Sequence, residues 1–254
     1  MVSKLRKRLL LGFFRGFCRL MLLLRLREEV LEANLELVRR GLVLYTFGNA
    51  SAISRPDGLV VIKTSGVPYE TVKPADLVVT DLTGKVVEGV LRPSSDLATH
   101  LVLYKALPHI GGIAHTHSEY ATAWAQARRP IPCHGTTHAD YFRGPVPVTD
   151  PLTDTEIAQA YEENTGRVIV RAFQNIEPLE IPAVLVANHA PFTWGVSVSE
   201  AAHHAVILEA VAKLAHLSIQ IHNEAEPAGR TLHDKHFLRK HGISAYYGQP
   251  KEKP

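Results

Sequence analysis

The sequence predicts a mixed α/β chain. Three observations lead there: apolar alternation of strand type is interleaved with helical spacing along most of the chain, no internal repeat or long low-complexity linker breaks it up, and its 254 residues suffice for one large core. With 46% apolar and 21% charged residues the composition is that of a soluble globular protein. Intermixed elements alone leave α/β and α+β open.

Residues 26–40 place Leu26, Val30, Ala33, Leu37 and Val38 at helical spacing, and Gly41 ends that helix. Leu59 to Ile62 reads as a short strand. Leu77–Thr80 and Val86–Val87 read as a hairpin turning at Thr83-Gly84. A helix is expected over Ala98–Ala106, a buried strand over Ile110–His117 and a helix over Ser118–Ala127. A further helix over Asp154–Thr165 opens on a capping box of Thr153 and Glu156. Val168–Val170 and Ala183–Val186 are expected as strands. Ser199–Ile221 is expected as a long helix capped by Ser199, followed by a basic, aromatic tail.

Residues 1–20 stand apart. They carry Lys4, Arg6, Lys7, Arg8, Arg15 and Arg19 and no acid, and leaving them out moves the formal net charge from +3 to −3. The remainder has no nucleic-acid footprint. Leu9–Leu24 is interrupted by Arg15 and Arg19 and is shorter than a membrane helix of ~20 residues. We expect residues 1–20 to be an appendage outside the fold, with a targeting arm as the alternative, and residues 21–254 to form the domain. Cys18 and Cys133 are too few for a disulfide framework, which agrees with a cytoplasmic setting and no membrane.

The sharpest chemical signal is His115-Thr116-His117 at the end of an apolar strand. Residues two apart on a strand share a face, so two imidazoles stand side by side as a metal requires. Two ordinary half-buried histidines, or a hydrolase site, would give the same triplet. His189 follows another apolar strand. Asp96 opens a helix, where its ordinary use is as an N-cap. Together the four form a nitrogen-and-oxygen set suited to Zn²⁺, with Mn²⁺ or Co²⁺ as substitutes. Two small-residue loops, Lys63-Thr64-Ser65-Gly66 and Arg92-Pro93-Ser94-Ser95, are phosphate candidates or plain turns. Gly48-Asn49 reads as a tight turn offering an amide. The loop from Gly135 to Tyr141, with Asp140, carries titratable groups and no helical pattern. His236, Arg239, His241, Tyr246 and Tyr247 form a basic-aromatic cluster near the C-terminus, or the surface of a solvated helix. The pair His203-His204 reads as structural.

The strings GNASA, IKTSGV, PSSDLATH, IGGIAHTHS, GTTHADYFRG and LRKHGISAYYGQ, in this order, resemble the class II aldolase and epimerase family between Leu26 and Gln249. Residues 1–20 have no counterpart in that pattern. The resemblance implies a three-layer α/β/α sandwich with a central, largely antiparallel sheet. It implies a homotetramer with sites between subunits and a small sugar phosphate as substrate. It assigns the metal to Asp96, His115, His117 and His189. The substrate falls to Gly48, Asn49, Lys63, Ser65, Gly66, Ser94 and Ser95, with His236 and Arg239 as further contacts. Acid/base work falls to Asp140 and Tyr247, reaching in from a neighbouring subunit. The resemblance is nearest to the epimerase branch, which interconverts L-ribulose 5-phosphate and D-xylulose 5-phosphate by breaking and remaking C3–C4. Aldolases of the family place a glutamate where this chain has Asp96. The rival expectations are a fuculose- or rhamnulose-1-phosphate aldolase and a non-catalytic scaffold relative.

Overall fold

The structure is a computed structural model that describes residues 21–249; the expectation for residues 1–20 lies outside the described residues. A seven-stranded sheet is built from β1 (Asn49–Ser54), β2 (Leu59–Ile62), β3 (Val78–Asp81), β4 (Val86–Glu88), β5 (Gly112–His115), β6 (Ala183–Leu185) and β7 (Pro191–Gly195). Their order is β4-β3-β2-β1-β5-β7-β6, and every neighbouring pair is antiparallel.

Strand alternation divides the apolar residues between two faces. Ile53, Val60, Ile62, Val78, Ile113 and Trp194 form one core with α2 (Leu97–Ala106) and α5 (Asp154–Ala172). Ala50, Ala52, Val61, Val79 and Ala114 form the other with α1 (Leu24–Arg39) and α6 (Val198–Ile221). This is the expected α/β/α sandwich. The third core joins β6 and the middle of α6 to α3 (Glu119–Gln126). Two further helices, α4 (Thr136–Ala139) and α7 (Arg230–His241), pack on each other. Helix α6 is long and apolar enough to cross a membrane by length and composition. Its Ala201, Ala205, Leu208 and Ala212 are nevertheless buried in the two cores beneath the sheet.

Two arginines tie the layers together. Arg27 is 1% exposed. It donates to the Leu22, Pro74 and Leu77 carbonyls and pairs with Glu88 at 2.8 Å, so α1 is fastened across the β3–β4 edge. Arg55 donates to the carbonyls of Tyr104, Leu107 and Ile110, placing a cation at the C-terminus of α2 where the helix dipole favours it.

Four expectations are corrected. Val168–Val170 is not a strand but lies inside α5, because Val168 and Ile169 are buried there and α5 packs along α2; tertiary burial overrides β-branched preference. The cap of α6 is Ser197, which accepts from Glu200 N at 3.2 Å, so the helix starts one residue before Ser199. The loop carrying Asp140 contains the short helix α4. Asn49 is not a turn residue but the first residue of β1. The capping box of Thr153 and Glu156 is present, with Thr153 N donating to Glu156 Oε2 at 2.9 Å.

Candidate metal centre and active site

The centre is assembled where β1, β5 and β7 lie side by side. His115 is the last residue of β5, paired with Asn49 on one side and Phe192 on the other. Its ring stacks on Phe192 at 4.1 Å, and its Nδ1 lies 2.9 Å from Pro191 O. That carbonyl can only accept, so Nδ1 carries the proton and Nε2 presents a lone pair.

His117 lies two residues on, past the end of the strand, so the ladder does not hold it. The start of α3 does: Glu209 accepts from Tyr120 N at 2.8 Å and Ala121 N at 2.9 Å, fixing the segment that follows. His189 comes from the turn between β6 and β7. Asn188 takes a φ of 61° there, a left-handed conformation that asparagine tolerates. The three ring centroids are 4.9, 4.9 and 5.0 Å apart, and their ligand nitrogens lie within 4.8 Å of one another.

Asp96 occupies the cap position of α2, but its side chain caps nothing. Its Oδ2 accepts from Asn49 Nδ2 at 2.6 Å. Burial pulls the carboxyl up, yet its placement beside the His115 and His100 rings and the Asn49 bond outweigh it and hold Asp96 below its ordinary value. Burial pushes the His189 imidazole down to about 4, and its buried Nδ1 has no hydrogen-bond partner. Three imidazoles whose nitrogens converge, beside a carboxylate held below its ordinary range, fit a divalent cation.

The two small-residue loops are joined. Ser65 N donates to Arg92 O at 3.0 Å and Ser94 N to Lys63 O at 2.9 Å, so both line one cleft of about 390 Å³ with the histidines. Gly48 closes its floor. It has a φ of +89°, and a Cβ there would stand 2.8 Å from His115 O. Lys63 is buried, its ammonium on the carbonyls of Thr64 and Val67 and 4.4 Å from the Tyr69 ring centre. Burial alone holds its pKa below the ordinary value.

Gly48, Asn49, Lys63, Ser65, Gly66, Ser94, Ser95, Asp96, His115, His117 and His189 thus share one cleft. Asp140, His236, Arg239 and Tyr247 do not line it; they form a second cluster in the same chain. Arg239 grips Asp140 with Nε at 2.9 Å and Nη2 at 2.6 Å, and His236 Nδ1 lies at 3.0 Å. Burial pulls Asp140 up, but these bonds keep it below its ordinary value. The guanidinium of Arg239 and the ammonium of Lys240 lie 4.9 and 4.4 Å from the Tyr247 ring centre.

Sequence reasoning missed Tyr161 and Glu162, which line the histidine cleft from α5. Burial, then the charges of Asp96 and Glu162, push the Tyr161 phenol up. Their helix carries clear signals only at its start, so no local pattern marks them.

The profile of the class II aldolase and adducin N-terminal domain family matches residues 28–216. Among solved structures, an L-fuculose 1-phosphate aldolase is 27% identical, with a TM-score of 0.73 over 84% of this chain and 94% of that one. YgbL of Klebsiella pneumoniae, whose description spans aldolase, epimerase and decarboxylase, is 27% identical, with a TM-score of 0.66 over 83% and 97%. The L-fuculose-1-phosphate aldolase of Thermus thermophilus, at 23% identity and a TM-score of 0.63 over 79% and 98%, shares the fold.

Proposed function

This chain belongs to the class II aldolase and adducin family, and from that premise we propose that it is a cytoplasmic, zinc-dependent L-ribulose-5-phosphate 4-epimerase. Asp96 would be the fourth ligand beside His115, His117 and His189. The substrate phosphate would rest on the joined loops of Ser65, Gly66, Ser94 and Ser95, with Lys63 behind them.

C4 of the pentulose carries no acidic proton, so inversion there requires opening C3–C4 by a retro-aldol step. The C4 hydroxyl gives up its proton as the bond breaks. The aldehyde turns over while its phosphate stays held, and the bond re-forms on the other face. A bound divalent cation would supply Lewis-acid stabilisation for the charge left on the ketose half. In a homotetramer with sites between subunits, Asp140 and Tyr247 of a neighbouring copy would handle the C4 hydroxyl proton, one on each face. Arg239 and His236 would hold Asp140 as the anion a base must be.

The observation that carries the epimerase reading is the short carboxylate of Asp96, drawn towards Asn49 at 2.6 Å. Such a carboxylate stays on the metal side and does not reach the enediolate carbon, which therefore keeps its charge until the aldehyde re-adds. Incubating the zinc-loaded protein with L-ribulose 5-phosphate and following products by NMR tests this. D-xylulose 5-phosphate is expected; stoichiometric dihydroxyacetone and glycolaldehyde phosphate would overturn it. The second reading, a sugar-phosphate aldolase, is favoured by the 27% identity to an L-fuculose 1-phosphate aldolase.

A further inference from the structure

Helix α5 is broken. Ala160 has φ −156° and ψ 68°, well outside the helical region. The break is held by side-chain donors: Asn164 Nδ2 to Glu156 O at 2.9 Å, Thr165 Oγ1 to Tyr161 O at 2.8 Å and Thr99 Oγ1 to Glu162 O at 2.6 Å. Thr99 stands one turn beyond Asp96 on α2, so the break is tied to the helix that begins at the metal cleft. Interrupting a helix is unfavourable, and a site where three donors stabilise the interruption is one where the displaced residues have a use. The residues displaced are Tyr161 and Glu162, and both face the cleft. The Tyr161 ring lies 6.1 Å from the His189 ring, tilted by 46°.

This places a neutral phenol beside the histidines. A hydroxyketone bound there presents oxygens that gain negative charge when C3–C4 opens, and a protonated phenol is a donor suited to them. Glu162, an anion, is not. Resting on the sugar-phosphate reading above, we propose that Tyr161 is a substrate-binding residue whose hydroxyl donates to an oxygen at the non-phosphorylated end of the ketose. The break at Ala160 exists to aim it.

The test compares zinc-loaded wild type with Tyr161→Phe by calorimetry, using two probes: glycolohydroxamate, a mimic of the enediolate end without phosphate, and inorganic phosphate. The variant should bind the hydroxamate about tenfold more weakly, as expected for losing one donor to a charged oxygen. Its zinc content, phosphate affinity and melting temperature should match wild type. Equal hydroxamate affinity in both proteins, a parallel loss of phosphate or zinc binding, or no hydroxamate binding by wild type would overturn the proposal. Product analysis of wild type that finds cleavage instead of the epimer would retire the epimerase reading alone, because the hydroxamate comparison does not depend on the aldehyde's fate.

Discussion

His115 Nε2 and His117 Nε2 stand 3.2 Å apart while His115 Nδ1 is committed to Pro191 O at 2.9 Å. Two ring nitrogens brought together in this way need a proton or a cation between them. His117→Ala should therefore lower the bound zinc to a small fraction of one ion per chain and remove most of the turnover. Its circular dichroism should be unchanged, because His117 belongs to none of the three apolar cores. Elemental analysis showing full occupancy with normal turnover would refute the assignment.

Gly48 meets the same centre from below. A side chain there requires a positive φ of 89° and a Cβ at 2.8 Å from His115 O. Gly48→Ala should cost about 1–3 kcal/mol in unfolding free energy from the strained backbone alone. It should also weaken zinc, since relief of the clash moves His115. Urea titration and zinc competition with a chelator check the two effects separately.

Acid should destabilise the protein well above the carboxylate range. Burial lowers His138 from 6.5 to about 4 and His100 from 6.5 to about 3. Above pH 6.5 both are neutral in the folded and unfolded chain. Below it the unfolded chain takes up protons that the folded chain refuses, so stability is lost as pH falls from about 6.5 towards 4. Each histidine contributes a slope of about 1.4 kcal/mol per pH unit in that window. His138→Gln should remove one such slope from the stability–pH curve of the metal-free protein; an unchanged curve would show that His138 is not held neutral.

The Asp140 cluster can be probed without disturbing the metal. Asp140→Asn and Tyr247→Phe should each reduce turnover by about 10²-fold or more, the usual loss for a removed acid/base group. Zinc content should not move, since neither residue lines the metal cleft of its own chain. Mixing Asp140→Asn with His117→Ala, each inactive alone, offers a check on the subunit arrangement. Hybrid assemblies should regain activity if each histidine cleft draws Asp140 from a neighbouring copy, and should stay inactive if Asp140 acts within its own chain.

The mixed α/β character was legible because a strand such as Leu59–Ile62 separates its apolar residues, Val60 and Ile62 from Val61, whereas the three-layer arrangement came only with the family resemblance. The histidine triad was legible because His115-Thr116-His117 closes an apolar strand and His189 follows a second, although the strand itself ends at His115 and the start of α3 places His117. The helical course of Val168-Ile169-Val170 was not, because those residues are β-branched and only their burial near α2 decides the matter. Tyr161 was hidden for a related reason. The donors that hold the break lie at Thr99, Asn164 and Thr165, and one of them is 63 residues from its acceptor. Nothing local in the sequence records such a contact.

The length of the carboxylate at position 96 gives the sharpest test of epimerase against aldolase. Asp96 points to Asn49 Nδ2 at 2.6 Å beside the His115 and His189 rings. One added methylene would carry the carboxylate about 1.5 Å further, a C–C bond length, past the amide and towards the carbon that bears charge once C3–C4 opens. There it can deliver a proton, and a protonated carbon cannot re-add to the aldehyde. Asp96→Glu should therefore divert flux from epimerisation to cleavage, so that dihydroxyacetone accumulates where wild type yields D-xylulose 5-phosphate. The overall rate of substrate consumption should fall, because the longer side chain would leave the position in which Asn49 holds the Asp96 carboxylate. Zinc content measured on the same samples separates this from simple loss of the ion. Should the variant keep its zinc and still give only the epimer, proton delivery would not depend on the carboxylate at position 96, and the physical basis for preferring an epimerase would be gone.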